Sequence, residues 1–500
     1  MNTASYSLAQ DQTRILVICL GLLVGILAAY AVSGLVVDLS PPSVGKQSLS
    51  VADKILPIAF CGTLVWTAFQ LIRANRLMIW TPLPWFLAAC AAYFGFGPLV
   101  YHFGRSGTVA VLSTFYPVEE SDLWHTNILN AISVFVVMAS YMLGARLVRI
   151  DRHPIVQEVD TGLLQRTAII FLSLGLAVKY LLALPYYFGM LDLTVPGGIL
   201  QLQSFSLLAI IVVMVLVSKG GTKWRLVLYP LVAAELATAI LEFSKMSVLI
   251  TLMTLTLGWY LTRPRAWVLF AGAALLVTTY VATTPLVPFG RGEIVNRTGT
   301  IYQAGLAERA EILTGYLESG DASGGVEFSG HQSWWARLSY VNAQTFAMRS
   351  YDGGSPGRSF TLAGYAFVPR ALWPDKPSIT GVAEDFTFLV TGIRASSSAP
   401  GAFAEAYWNG GWLMVVLSCV YLGVLFTGFS YYAVRRMALM DVSLLPVVFI
   451  GIRMGFRPDG WFAAEYVGAL AIAVVLHLAL SMTIGYSARR ETSPATRAGD

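Results

Sequence analysis

The sequence predicts an all-α integral membrane protein of about twelve transmembrane helices with one large loop on its outer side. Three observations lead there. Of 500 residues, 56% are hydrophobic and only 12% charged, whereas soluble chains carry about 25% charged residues. Apolar runs of about 20 residues, the length a ~30 Å hydrocarbon core requires, recur along the chain. Lys and Arg gather in every second connection between those runs, as in a chain threaded repeatedly through a bilayer.

Taken in order, spans are expected at 15–37, 55–73, 78–101, 125–147, 166–188, 197–218, 225–242, 246–262, 266–287, 403–433, 442–456 and 462–484. The first run, Ile15 to Val37, is too long for a signal-peptide core, so no cleavable signal is expected. Arg14 precedes it. Arg73 and Arg76, the group Arg146 to Arg166, Lys219 to Arg225, Arg263 and Arg265, and Arg435 and Arg436 mark alternate connections, with Arg489, Arg490 and Arg497 in the tail. Outside the long loop, the other connections hold only Lys46, Lys54, Arg105, Lys245 and Arg457. This asymmetry places both termini in the cytoplasm. It also accounts for the net charge of +5 without nucleic acid. Cys19, Cys61, Cys90 and Cys419 lie in apolar runs with no metal-type spacing, and read as small buried hydrophobes. The expected organisation is a membrane domain over 1–287, a loop over 288–402, a second membrane segment over 403–484 and a tail over 485–500.

The loop is too long to be a turn and carries helical patterns. Leu306, Ala310, Leu313 and Leu317 share one face, with Glu308, Arg309 and Glu311 elsewhere on the wheel. Trp334, Leu338, Val341, Thr345 and Met348 repeat the spacing, with Ser333 placed to cap. The Trp334–Trp335 pair suits a helix lying at a lipid interface. Between the two patterns, Gly320 to Gly330 reads as a flexible stretch.

Ionisable residues inside a bilayer cost roughly 2.5–3.5 kcal/mol each on insertion scales, so each asks for a reason. Lys179 lies toward the outer side of its span, Glu242 and Lys245 at an outer turn, and Glu405, Arg453 and Glu465 near outer span ends; only Glu235 is near a span centre. Structural pairing or snorkelling explains any one of them. Their common side points to an outer-leaflet polar cavity for an amphiphile. The loop adds Pro369-Arg370-Ala371-Leu372-Trp373-Pro374-Asp375-Lys376-Pro377, whose three prolines exclude a helix and predict a rigid, extended hairpin bearing two cations. Arg and Lys on such a hairpin suit a pyrophosphate; equally, the loop can be a solvated surface with a lipid-anchoring Trp. Arg394, a Ser396–Gly401 small-residue run and Glu405-Ala406-Tyr407-Trp408-Asn409-Gly410-Gly411 follow.

The strings FVPRALWPDKP and SSSAPGAFAEAYWNGG, with EFSKMSVLITL from Glu242, resemble those of Wzy-type O-antigen and oligosaccharide repeat-unit polymerases. The motifs cover about a tenth of the chain. The resemblance implies a lipid-dependent (GT-C-like) membrane glycosyltransferase of the bacterial inner membrane. It would join undecaprenyl-pyrophosphate-linked glycan units at the periplasmic face, for O-antigen, capsule or exopolysaccharide. It implies Arg370, Lys376 and Arg394 as stabilisers of the leaving pyrophosphate, since negative charge builds there as the sugar–phosphate bond breaks. Glu405 is the first candidate base for the acceptor hydroxyl and His331 the second. Arg291, Arg337, Lys245, Arg453 and Arg457 are candidates to hold the second pyrophosphate or the acceptor. The expected partners are the lipid-linked glycans, membrane lipid and a chain-length regulator; no cofactor or metal is expected. A ligase of the O-antigen type shares this chemistry. A twelve-span flippase would instead predict repeated halves, and none is visible.

Overall fold

The computed structural model describes residues 3–39, 42–115, 117–148, 161–191, 195, 197–299, 304–319, 334–368, 373, 379–391 and 399–491. Among them every regular element is helical. The principal helices are α1 (Thr3–Leu39), α2 (Pro42–Ala74), α3 (Pro82–Cys90), α4 (Glu120–Val148), α5 (Thr161–Leu176), α6 (Ser204–Ser218), α7 (Arg225–Leu241) and α8 (Lys245–Thr262). They continue with α9 (Ala266–Thr298), α10 (Leu306–Ser319), α11 (Val341–Asp352), α12 (Ile379–Thr391), α13 (Ala402–Ala438), α14 (Leu445–Gly455) and α15 (Ala469–Glu491).

Ten of the described helices are long and apolar enough to cross a membrane, and they fall on expected spans one to seven, nine, ten and twelve. Their outward faces carry bare apolar side chains, such as Leu22, Val32 and Leu35 on α1 and Phe270 and Val277 on α9, which a bilayer would cover. The chain is a multi-pass membrane protein. The eighth and eleventh expected spans are helices that fall short of this measure. α8 opens on Lys245 and is diluted by Thr251, Thr254 and Thr256, whose hydroxyls donate to carbonyls one turn back. α14, at 11 residues, rises only about 16 Å.

The structure divides into two compact units, residues 1–157 with 335–500, and residues 158–334. These boundaries cut through the loop that the sequence sets at 288–402. α9 continues through Pro288 to Thr298, past the span end expected at residue 287, and stops at Gly299, whose left-handed φ of 72° closes the helix.

In the first unit, α4 and α13 lie closely side by side. A Cβ on Gly423 would stand 2.5 Å from Ser140 Cβ and 2.8 Å from the Val137 carbonyl, so only glycine admits this approach. Phe86 packs edge-on against Phe403 and Phe426, with Phe94 and Tyr466 in the same core. α11 is held against α4 by polar pairs. Arg349 forks onto Asp122 (Nε–Oδ1 3.0 Å, Nη2–Oδ2 2.8 Å), and Asn130 and Gln344 exchange two amide bonds at 3.1 and 2.9 Å.

This corrects the expected interfacial helix beginning at Trp334. Trp335 instead stacks on Phe96 at 4.9 Å and donates its indole N–H to the Phe96 carbonyl. Ser339 is extended, and the α-helix starts only at Val341. The Ser333 cap and the Gly320–Gly330 stretch lie outside the described residues. The helix expected from Leu306 is α10.

In the second unit, Gly175 of α5 crosses α6 so tightly that a Cβ would stand 2.1 Å from the Ser206 backbone nitrogen. α6 is buried on nearly every side, as its uninterrupted apolar sequence requires.

Candidate functional sites

The predicted site residues divide between the units. In the first, Gly401 adopts φ 84° and starts α13, with the Ala402 N–H donating to the Pro458 carbonyl at 2.9 Å. Glu405 is fully buried one turn later, and its Oε2 accepts the Phe462 N–H at 2.6 Å. Its Oε1 has no hydrogen-bond partner among the described residues, although the Ser359 hydroxyl is a polar neighbour. Asn409 links this helix to Ser359 and Phe360. The helix then breaks at Gly410 and Gly411; Gly411, at φ 60° and ψ −155°, occupies a region essentially restricted to glycine.

The turn that meets Glu405 also carries Arg457. Arg457 lies between Asp459 (Nε–Oδ1 3.3 Å) and Glu465 (Nη2–Oε1 3.1 Å). Burial works against its charge, but the two carboxylates outweigh that and hold it protonated above its usual range. Tyr340 donates to Asp459 at 3.1 Å, and Arg453 approaches Glu465 at 4.0 Å. Burial, then Asp459, pushes the Tyr340 phenol well above its ordinary value. Arg457, a candidate to hold the second pyrophosphate or the acceptor, thus has its charge met by two acids beside the turn that supports Glu405. Arg337 is exposed on a short 3₁₀ turn.

In the second unit, Lys179 and Glu235 form a buried ion pair at 2.6 Å, the structural pairing that a single intramembrane charge most simply implies. At the end of α7 the chain turns through Glu242, Phe243 and Ser244. Phe243 has a φ of 46°, strained for a residue with a bulky side chain, and its buried ring rests where a Cβ on Gly290 would lie 2.2 Å away. Three cations converge here. Arg291 donates to the Phe243 carbonyl, and Arg309 to the Leu241 and Ala304 carbonyls. Lys245 donates to Thr284 and lies 5.1 Å from the Tyr280 ring centre. Glu242 accepts from Ser247 at 2.7 Å.

Sequence reasoning named Lys245 and Arg291 but missed Arg309, which is 3% exposed and stacks on Phe188 at 4.5 Å. Flanked by Glu308 and Glu311 on an amphipathic helix, it reads as a solvated charge. Burial lowers its hold on a proton, opposed by Glu242 and Glu308. His331, Arg370, Lys376 and Arg394 lie outside the described residues. Trp373 of the proline-rich segment is described: it is exposed and meets Tyr365 edge-on at 5.3 Å. All four cysteines are free thiols. Among the described residues, no three His, Cys, Asp or Glu side chains are grouped to hold a metal.

The fold and these sites define an all-helical, multi-pass membrane protein with a buried carboxylate at a helix entrance and a cation-bearing turn beside a span. No family model matches the chain, and no curated protein or solved structure matches it.

Proposed function

We propose that the protein is a polymerase of undecaprenyl-pyrophosphate-linked oligosaccharide units, acting at the periplasmic face of the bacterial inner membrane with both termini cytoplasmic. The observation that carries this reading is the gathering of Lys245, Arg291 and Arg309 on the turn ending the apolar helix α7. A diphosphate on an isoprenoid lipid needs cationic donors at the edge of a hydrocarbon-facing surface, and guanidinium groups match its oxygens. The resemblance carried by the Arg370–Lys376 segment and the Glu405–Gly411 helix entrance supports the same chemistry. In the reaction, an acceptor hydroxyl attacks the anomeric carbon of the donor glycan, and the sugar–oxygen bond to pyrophosphate breaks. Glu405 Oε1 takes the hydroxyl proton, and Arg370, Lys376 and Arg394, which the resemblance implies for this role, stabilise the charge of the leaving diphosphate.

The test is a gel of surface polysaccharide from a deletion strain complemented with variants. Wild type restores a ladder; Arg370→Ala with Lys376→Ala, or Glu405→Gln, leaves single-unit products although the protein reaches the membrane. Full-length but unattached chains in the deletion strain point to a ligase. Repeat units trapped on the cytoplasmic side point to a flippase.

A further inference from the structure

A site of a different kind lies in the first unit, independent of the polymerase reading. Asp53 on α2 and Asn127 on α4 are 1% and 4% exposed. Asn127 Nδ2 donates to Asp53 Oδ1 at 3.1 Å. The two remaining oxygens of this pair, Asp53 Oδ2 and Asn127 Oδ1, are buried and have no hydrogen-bond partner among the described residues. Both are acceptors if Asp53 is ionised, so neither can satisfy the other.

One helix turn along α4 stands a direct comparison. Asn130 and Gln344 form the same kind of pair, but there each amide donates to the other's oxygen and the ring of two bonds closes. The Asp53–Asn127 pair lacks a single hydrogen for the same closure. Among the described residues, its surroundings supply no substitute charge. Tyr30 on α1 and Glu120 on α4 are the titratable groups that act on Asp53, and neither is a cation. Lys54, its chain neighbour, acts on His102. Asp122 is taken by Arg349, and His125 turns to the Ser121 carbonyl. A carboxylate left in such a place is an uncompensated buried charge, which proteins avoid by neutralising the group.

We propose that Asp53 and Asn127 form a proton-binding site between α2 and α4, in which Asp53 is a carboxylic acid. Its Oδ2–H donates to Asn127 Oδ1 while the amide N–H donates to Oδ1 of the acid. The bound ligand is one proton, and the α2–α4 contact is linked to its occupancy. Because the folded chain holds a proton that the unfolded chain releases at neutral pH, folding weakens as pH rises, by up to about tenfold in the folding equilibrium per pH unit.

Infrared spectroscopy of the full chain in bilayer discs tests this. At neutral pH the wild type should show the carbonyl stretch of a protonated carboxylic acid. That band should shift when aspartate side chains are ¹³C-labelled and vanish in Asp53→Asn. Thermal stability of the wild type should fall with rising pH, while Asp53→Asn, an amide–amide pair like Asn130–Gln344, should accumulate normally and stay flat. The proposal is overturned by labelled wild-type protein that shows only ionised aspartate, a measurement needing no variant. It is equally overturned if Asp53→Asn fails to accumulate, or if sodium ions stabilise the wild type and not the variant, which would make the occupant a metal cation.

Discussion

Removing Lys179 alone should be among the most damaging single changes in the second unit. Its Nζ stands 2.6 Å from Glu235 Oε2, with side-chain exposures of 9% and 1%, so solvent screens the pair very little. At an effective dielectric of ~20 the gross attraction at that separation is about 6 kcal/mol. Much of that offsets the cost of bringing two charges out of water. Lys179→Met strands a buried carboxylate and should cost about 3–5 kcal/mol. Lys179→Met combined with Glu235→Gln removes both charges and should recover most of the loss, since a neutral pair leaves no stranded ion. The measurement is a double-mutant cycle on thermal unfolding of the purified protein in bilayer discs, read by retention of the folded peak. A coupling of at least ~2 kcal/mol is expected. Equal stability of the wild type and Lys179→Met, or simple additivity in the double variant, would show that the charges are not paired and would refute the reasoning.

Other changes probe the remaining contacts. Gly411→Ala forces a Cβ to 2.9 Å from the Tyr351 ring at a φ of 60°; it should cost about 1–3 kcal/mol from backbone strain, seen as a lowered unfolding temperature. Gly290→Ala should push Phe243 out of its contact and disturb the turn that presents Lys245, Arg291 and Arg309, measurable as weaker retention of a lipid diphosphate by native mass spectrometry. Arg349→Met should speed amide exchange of α11 by roughly tenfold, because the largely buried Asp122 loses its partner. Asp122→Asn in the same chain should slow that exchange again. Glu405→Gln keeps an oxygen to accept the Phe462 N–H but cannot take a proton, so polymer should disappear while unfolding temperature changes little.

The candidate sites were only half legible in the sequence. Lys245 and Glu405 stood out because charges at span ends are scarce. Arg309 did not, because an arginine between glutamates on an amphipathic helix looks solvated until α7 is seen to end against it. Arg457 looked like a ligand for phosphate; its neighbours Asp459 and Glu465 were visible in the sequence, but not that both would turn toward one guanidinium.

What the sequence determined by itself was local: which runs are apolar, how long they are, and hence where most membrane helices lie. Hydropathy and helix length are properties of neighbouring residues, so no knowledge of packing was needed. The tertiary structure decided everything that depends on distance along the chain. It paired Lys179 with Glu235 across 56 positions and Asp122 with Arg349 across 227, and it brought Asp53 to Asn127 across 74. It also turned Trp335 inward and carried α9 beyond its expected end. A buried polar group settles on whichever partner the packing of helices brings within reach, and no pattern of residues along one helix carries that information.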